Sequence, residues 1–162
     1  MLPEGDYPPI LVENPGLAPG VSWFPDRPMT THHAYQLYAH ITWHTWRRSG
    51  CLDVAAVRDI ETAMKNAEEP SGVRVLRSAI LADHVHILAS FRPDGSLSDF
   101  VRLTKSGSAW RANTRIPGAV RWARGFYAAS ISKGDLSRVA GYIRGQHRRH
   151  PDLIPREGRS SN

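Results

Sequence analysis

Two histidines separated by one apolar residue lie in LADHVHILAS (81–90), a run that otherwise has the pattern of a buried strand. Successive strand residues point to opposite faces, so His84 and His86 share one face while Val85 points to the other. Two neighbouring imidazoles can hold one metal ion, but two ligands are too few for a site. On the pair alone, histidines on a solvated sheet face remain the simpler interpretation. Asp83 could orient a ligand histidine or merely form a turn.

A second segment, GYIRGQHRRH (141–150), contains a group that could complete such a site. Tyr142 and Gln146 are four residues apart, which places them on the same face of a helix. Gln146 could give a carbonyl oxygen to a metal, and the phenol of Tyr142 would then lie one turn away. Spacing alone favours a simpler arrangement, in which Tyr142 packs with Val139 and Ile143 while Gln146 lies on the surface.

The elements that must position these residues predict an α+β fold. Strand patterns occupy 34–47, 73–82, 84–91 and 125–132, and helical patterns occupy 53–67, 96–113 and 135–150. Asp53 is expected to cap the first helix, and Ser96 with Asp99 to form a capping box on the second. The order is that of a ferredoxin-like β-α-β-β-α-β antiparallel sheet, with an additional C-terminal helix. The sheet face opposite the helices would be open for a substrate or a partner subunit.

The two ends of the chain differ from its middle. Residues 1–31 contain seven of the 12 prolines, which predicts an extended arm, because Pro sustains neither a helix interior nor a central strand. We expect one folded domain at 32–150 and a short polar tail at 151–162 that frays. With a single cysteine, no membrane-length apolar run and no secretory pattern at the N-terminus, the chain is predicted to be cytoplasmic and free of membrane segments.

The net charge of +6 is concentrated late in the chain. Residues 101–150 hold eleven Lys or Arg and one acid, Asp135, whereas residues 1–100 hold eight bases and twelve acids. This asymmetry favours a polyanionic partner, most often a nucleic acid, over a merely solvated basic surface. The candidate phosphate-binding residues lie in or just after the last two helices: Arg102, Lys105, Arg111, Arg115, Arg138, Arg144, Arg148 and Arg149.

Further aromatic and histidine residues are weaker candidates. Trp110 and Trp122 could stack on the bases of a single strand, although core packing is the simpler role, above all for Trp122. His40 and His44 share one face of the first strand and are expected to be ordinary strand-face residues. Tyr127, on the fourth strand, is a less convincing nucleophile than Tyr142, because no metal-capable group accompanies it at helical spacing.

Together, DHVHIL (83–88) and YIRGQHRRH (142–150) make the chain resemble the single-tyrosine HUH transposases. These are the small transposases of insertion sequences and their REP-associated tyrosine relatives. The two motifs occur in the same order and on the same element types, and the resemblance spans roughly residues 34–150. The family often ends the second motif in two adjacent histidines, where this chain has Arg149 and His150.

The resemblance implies a nuclease and strand transferase that acts on single-stranded DNA carrying hairpins or repeats. By position, it implies that His84, His86 and Gln146 are metal ligands and that Tyr142 is the nucleophile. It also implies a homodimer with composite active sites. Because the three ligands are neutral, they leave the charge of a divalent ion undiminished, and Mg²⁺ or Mn²⁺ fits such a donor set.

Two other functions remain compatible with the residues. A non-catalytic nucleic-acid-binding regulator derived from a transposase would bind DNA without cutting it, but it has no need of both motifs. A hydrolytic metalloenzyme would use bound water and would not need Tyr142. A cut-and-rejoin enzyme does need such a residue, because a covalent intermediate conserves the energy of the broken bond.

Overall fold

The computed structural model describes residues 35–158, so the predicted proline-rich arm at 1–31 lies outside the described residues. Four strands and four α-helices follow in chain order: β1 (Leu37–His44), α1 (Val54–Ser71), β2 (Val73–Ile80), β3 (His84–Phe91), α2 (Leu97–Arg115), β4 (Tyr127–Ile131), α3 (Leu136–Arg144) and α4 (Gln146–Arg149). Within 35–158, no helix has the length and apolar character needed to cross a membrane.

The strands form one sheet in the order β2-β3-β1-β4, and every neighbouring pair is antiparallel. This is the predicted ferredoxin-like arrangement, so the α+β prediction is confirmed. The central strand β1 pairs His44 with His84 and places Thr42 between His86 on β3 and Tyr127 on β4. Because paired residues of antiparallel strands point to the same side, these side chains share one face of the sheet.

The other face of the sheet carries the main hydrophobic core. Ile41 on β1 and Val85 and Ile87 on β3 are fully buried against α1 and α2, where Ile60 and Phe100 are also fully buried. Alternate strand positions therefore supply the core, as the period of a β-strand requires.

Both long helices begin at the predicted caps. The Asp53 carboxylate accepts a hydrogen bond from the Ala56 N–H at 2.8 Å, and the Ser96 hydroxyl accepts one from the Asp99 N–H at 3.1 Å. The predicted capping box is only half formed, however. The Ser96 N–H donates to the Ser71 carbonyl instead of to the Asp99 carboxylate, which ties the start of α2 to the end of α1.

The predicted single helix at 135–150 is divided at Gly145 into α3 and α4. The Gly145 N–H is shared between the carbonyls of Gly141, at 3.1 Å, and Tyr142, at 3.2 Å. This is a local tightening of the last turn, which a glycine accommodates easily because it has the weakest preference for a continuous helix after proline. α3 packs Val139 and Ile143 onto the second face of the sheet, against a smaller apolar cluster that includes Leu88.

The start of the predicted tail is not frayed. The Leu153 carbonyl accepts a hydrogen bond from the Ala82 N–H at 2.7 Å, and the Arg156 carbonyl accepts one from the Val54 N–H at 3.1 Å. Leu153 also packs against the smaller apolar cluster. These backbone bonds hold the chain beyond α4 against the loop before β3 and the start of α1.

Candidate active site

The two histidines of β3 project side by side into a pocket on the second face of the sheet. The ring centroids of His84 and His86 are 4.9 Å apart and their planes are nearly perpendicular, at 80°. His86 is buried and His84 is half-buried. The remaining pocket lining comes from the end of β1 and the turn after it: Thr42, Trp43, His44 and Arg48.

Each of the two rings has a hydrogen-bond partner at Nδ1. The Nδ1 of His84 bonds to a carboxylate oxygen of Asp83, whose other oxygen lies 3.7 Å from a guanidinium nitrogen of Arg48. The Nδ1 of His86 lies 3.1 Å from the Nε2 of His40 on β1. A partner at Nδ1 fixes the orientation of an imidazole and leaves Nε2 as the nitrogen for a metal. Asp83 is thus more than a turn residue.

The environment of His86 keeps its ring neutral. Burial, followed by the charges of His84, His40, His150 and Arg48, lowers the pKa of His86 to about 4. Burial also lowers the pKa of His40. A neutral imidazole retains the lone pair with which it binds a metal, so this ring is ready to bind at neutral pH without first losing a proton.

Tyr142 on α3 lies next to the histidine cluster. Its ring centroid is 5.8 Å from that of His86 and 5.9 Å from that of His40, in edge-on geometry with interplanar angles of 90° and 77°. The guanidinium of Arg149 lies 4.8 Å from the centroid of the Tyr142 ring. Tyr142 is still 38% exposed, so a substrate can reach the phenol from solvent.

The side chain of Gln146 has a polar atom that could bind a further ligand. It is only 1% exposed, and its Nε2 donates to the Tyr142 carbonyl at 3.3 Å. Its Oε1 is buried and has no hydrogen-bond partner among the described residues. A buried carbonyl oxygen without a partner is costly, and an ion is one of the ordinary explanations. Gln146 was expected on the surface by spacing alone, and that expectation is wrong.

The donor set fits a hard divalent ion. Within 35–158, no three His, Cys, Asp or Glu side chains form a metal-binding group. A three-ligand site at the histidine pair therefore needs another residue type, and the amide oxygen of Gln146 is of the kind that Mg²⁺ and Mn²⁺ accept. Residues on both sides of Gln146 in the sequence lie near the histidine pair. The ring of Tyr142 is 5.8 Å from that of His86, and the ring of His150 is 6.3 Å from that of His84.

His40 and His44 are functional candidates that the sequence interpretation undervalued. The ring of His40 is nearly parallel to that of His86, with centroids 5.3 Å apart, and His44 lies opposite the other ligand candidate, His84, in the β1–β3 register. Alternation along β1 placed both on one strand face. Their nearness to the β3 pair depends on the register between β1 and β3, which only the fold reveals.

Lys105, one of the predicted phosphate-binding residues, has a structural contact. Its ammonium donates to the carbonyls of Ala123 and Gly125, which tethers α2 to the segment before β4. Burial lowers the pKa of Lys105. A half-buried ammonium that bonds two carbonyls has less capacity left for a phosphate.

Three of the predicted cations form ion pairs: Arg102 with Asp99 at 3.0 Å, Arg115 with Asp59 at 2.6 Å, and Arg138 with Asp135 at 2.6 Å. Exposed pairs of this kind contribute little to stability, so these arginines can still exchange a carboxylate for a phosphate. Arg138 and Arg149 line one groove together with His40 and Tyr142. Of the others, Arg144 and Arg148 are exposed and Arg111 is half-buried.

The remaining aromatic candidates separate clearly. Trp122 packs edge-on against Trp43 at 6.2 Å and donates its indole N–H to Ser108 at 3.2 Å, as core packing predicts. Trp110 is 68% exposed on α2. Tyr127 is 63% exposed on β4 and shares the histidine-bearing face. It is a natural comparison residue for Tyr142.

Comparison with known proteins gives the class of this chain. The family model for IS200-like transposases matches residues 33–146. The chain therefore belongs to the IS200-like transposase family, which confirms the resemblance found in the two motifs. The ISDra2 transposase TnpA of Deinococcus radiodurans is 25% identical over 122 residues, which cover 71% of this chain and 87% of that protein.

Two solved structures share the fold. A transposase from Deinococcus radiodurans R1 has 23% identity and a TM-score of 0.55, and the match covers 72% of this chain and 95% of that one. A REP-associated tyrosine transposase, solved bound to a REP hairpin, has 17% identity and a TM-score of 0.59, with coverage of 75% and 74%.

Proposed function

We propose that this transposase is a metal-dependent endonuclease and strand transferase acting on single-stranded DNA, with Tyr142 as the nucleophile. The observation that carries the proposal is the position of Tyr142, whose ring lies 5.8 Å from that of the buried His86. Membership of the IS200-like transposase family supports the same chemistry.

His84, His86 and Gln146 would hold the divalent ion, Mg²⁺ or Mn²⁺. When bound, such an ion neutralises charge on a nonbridging phosphate oxygen and so makes phosphorus easier to attack. Hydrogen bonds from the Nδ1–H groups of His84 and His86, to the Asp83 carboxylate and to the Nε2 of His40, would hold the two imidazoles. The unpartnered Oε1 of Gln146 supports its assignment as the third ligand.

The proposed reaction conserves the energy of the broken phosphodiester bond in a covalent bond between the DNA and Tyr142. The Tyr142 oxygen loses its proton and forms a bond to phosphorus, while the bond from phosphorus to the 3′-oxygen breaks. The leaving oxygen takes up a proton, which gives a free 3′-hydroxyl and a 5′-phosphotyrosine. A second 3′-hydroxyl can then attack the phosphotyrosine, rejoin a strand and release Tyr142 without ATP.

The surroundings of Tyr142 suit a single strand. Arg138 and Arg149 line the groove that contains the phenol, where they would neutralise flanking phosphates. A relative of the same fold was solved with a REP hairpin, and we propose hairpin- or repeat-containing DNA as the substrate here. The protein is expected to act as a homodimer, as the family resemblance implies.

A cleavage assay with two tyrosine variants tests the proposal. Labelled single-stranded hairpins from the neighbouring genomic sequence are incubated with Mn²⁺, and adducts are resolved under denaturing conditions. The wild type and Tyr127→Phe should cut and form an adduct. Tyr142→Phe should bind DNA with similar affinity and form none, because only one oxygen atom is removed from an exposed side chain.

Three outcomes would contradict the proposal. Undiminished cleavage by Tyr142→Phe would remove the nucleophile assignment. Cleavage without an adduct in the wild type would favour hydrolysis by water. Tight, metal-independent binding with no cleavage at all would favour a regulator derived from a transposase.

A further inference from the structure

The turn after β1 is held rigidly at the mouth of the histidine pocket. Thr45 is fully buried, its N–H donates to the Asp83 carbonyl at 2.8 Å, and its hydroxyl oxygen lies 3.1 Å from the same carbonyl oxygen. The next residue, Trp46, donates its N–H to the Arg121 carbonyl at 2.7 Å. The hydroxyl of Thr45 also donates to the Ser49 carbonyl at 2.7 Å, which closes the turn from the other side.

Two consecutive arginines within this turn adopt an unusual backbone conformation. Arg47 has φ 55° and Arg48 has φ 51°, and they are the only non-glycine residues with positive φ within 35–158. The left-handed region costs an L-residue roughly 1–2 kcal/mol. Such conformations persist where surrounding contacts enforce them, and they cluster at functional sites.

The two arginines send their guanidinium groups to different places. The guanidinium of Arg47 lies 5.8 Å from the centroid of the Trp46 ring, outside the pocket. Arg48 lines the pocket with His84 and His86, and its Nη1 lies 3.7 Å from a carboxylate oxygen of Asp83. The same carboxylate bonds His84 through its other oxygen. Asp83 thus links the charge of Arg48 to the position of a proposed metal ligand.

Arg48 has hydrogen-bonding capacity to spare. A guanidinium carries five N–H donors, and 3.7 Å is too long for a hydrogen bond, so the ion pair with Asp83 leaves those donors available to a ligand. Its side chain is 64% exposed at the pocket mouth. A planar cation beside a proposed metal site matches the geometry of a phosphate with two free oxygens.

We propose that Arg48 binds the nonbridging oxygens of the phosphate that is attacked, and so places that phosphate over the histidine pair. This inference rests on the proposed function, because it names a further residue of the same site. Of the two left-handed arginines of the turn, only Arg48 lines the pocket with the histidine pair.

The test compares variants of the two neighbouring arginines. Arg48→Gln should lower the single-turnover cleavage rate about 100- to 1000-fold, the usual loss when one donor to developing charge is removed. Arg48→Lys should recover part of the rate, since it restores charge but not the planar fork. Arg47→Gln, in the same turn and with the same sign of φ, should cleave like the wild type.

Two further readouts separate binding of phosphate from support of the metal site. Mn²⁺ affinity, measured without DNA by electron paramagnetic resonance, should be unchanged in Arg48→Gln. In a Tyr142→Phe background, which cannot form the covalent bond, a methylphosphonate at the cleavage position should weaken binding by the chain with Arg48. Binding is measured without a divalent metal, so that the ion makes no contact with the phosphate, and the same replacement should then have little effect on binding by the Arg48→Gln chain.

Equal cleavage by Arg48→Gln and Arg47→Gln would overturn the proposal. So would a loss of Mn²⁺ affinity in Arg48→Gln, because Arg48 would then act only through Asp83. The methylphosphonate comparison does not depend on cleavage. If it fails while the wild type forms the Tyr142 adduct, Arg48 is wrongly assigned and the proposed function stands. If no adduct forms, the nucleophile assignment fails, and the methylphosphonate comparison alone decides for or against Arg48.

Discussion

The two faces of the β-sheet are made from alternate residues of the same strands, and they differ in role. On β3, Val85 and Ile87 are fully buried against α1 and α2. Their neighbours His84 and His86 point to the opposite face, into a pocket beside Tyr142. A strand period of two therefore lets one short segment stabilise the fold on one side and carry polar chemistry on the other.

The histidine-bearing face contains features that oppose stability. Burial disfavours protonation of His86, the Gln146 oxygen is buried without a partner, and Arg48 holds a left-handed backbone. Each feature carries a free-energy cost that a purely structural surface would avoid. The apolar face offsets these costs, since side chains such as Ile87 are removed completely from water.

The largest effect is expected from His86→Ala. Loss of an outer partner of a metal ligand typically costs about 10- to 100-fold in metal affinity or activity, so if His86 is a ligand as we propose, its loss should exceed that range. Mn²⁺-dependent cleavage should fall to background, while the urea midpoint of the metal-free protein stays close to that of the wild type. Strong destabilisation without loss of Mn²⁺ binding would place His86 among the structural residues.

The next effect in size is expected from Ile87→Ala, one residue further along β3. Truncating a fully buried isoleucine leaves a cavity, which should lower the free energy of unfolding by roughly 2–5 kcal/mol. Urea denaturation measures this directly. At a temperature where the variant is still folded, its Mn²⁺ affinity should match that of the wild type. An Ile87→Ala protein as stable as the wild type would show that this face is not the core.

A smaller effect is expected from pH in the metal-free protein. The pKa of His86 is about 4 in the fold, below the ordinary value of 6.5. Below pH 6.5 the unfolded chain therefore takes up a proton that the folded ring does not, and stability falls as pH decreases toward 4. One such group changes stability by at most about 1.4 kcal/mol per pH unit.

Denaturation curves between pH 7 and 5.5 measure this slope, with His86→Asn as the control. The variant cannot titrate at this position and should lose less stability as pH falls. Identical slopes for the two proteins would show that His86 is protonated in the fold as readily as in water, which its burial should prevent.

The local features of the fold could be predicted from the sequence. The strand predicted at 84–91 has the same bounds as β3. Asp53 and Ser96 cap the two long helices as expected. Alternation and capping depend on residues only a few positions apart. The two motifs likewise contain residues that lie close together, such as His86 and Tyr142, because family resemblance adds information about distant residues that spacing does not contain.

The rest of the site depends on contacts between distant segments. His40 reaches His86 only through the β1–β3 register, 46 residues apart in the chain. No glycine occupies the left-handed positions Arg47 and Arg48, so the sequence gives no sign of this conformation. The turn is held by contacts of Thr45 with Asp83, which follows α1 and β2 in the sequence. The division of the last helix at Gly145 reflects a shared hydrogen bond that its sequence pattern does not reveal.

The most direct test of the account is to locate Mn²⁺ in crystals of the protein by its anomalous scattering. We predict a single strong peak on the histidine-bearing face, roughly 2.0–2.3 Å from nitrogen atoms of His84 and His86 and from the Gln146 oxygen. A histidine pair without manganese, in crystals that bind the ion at another place, would contradict it.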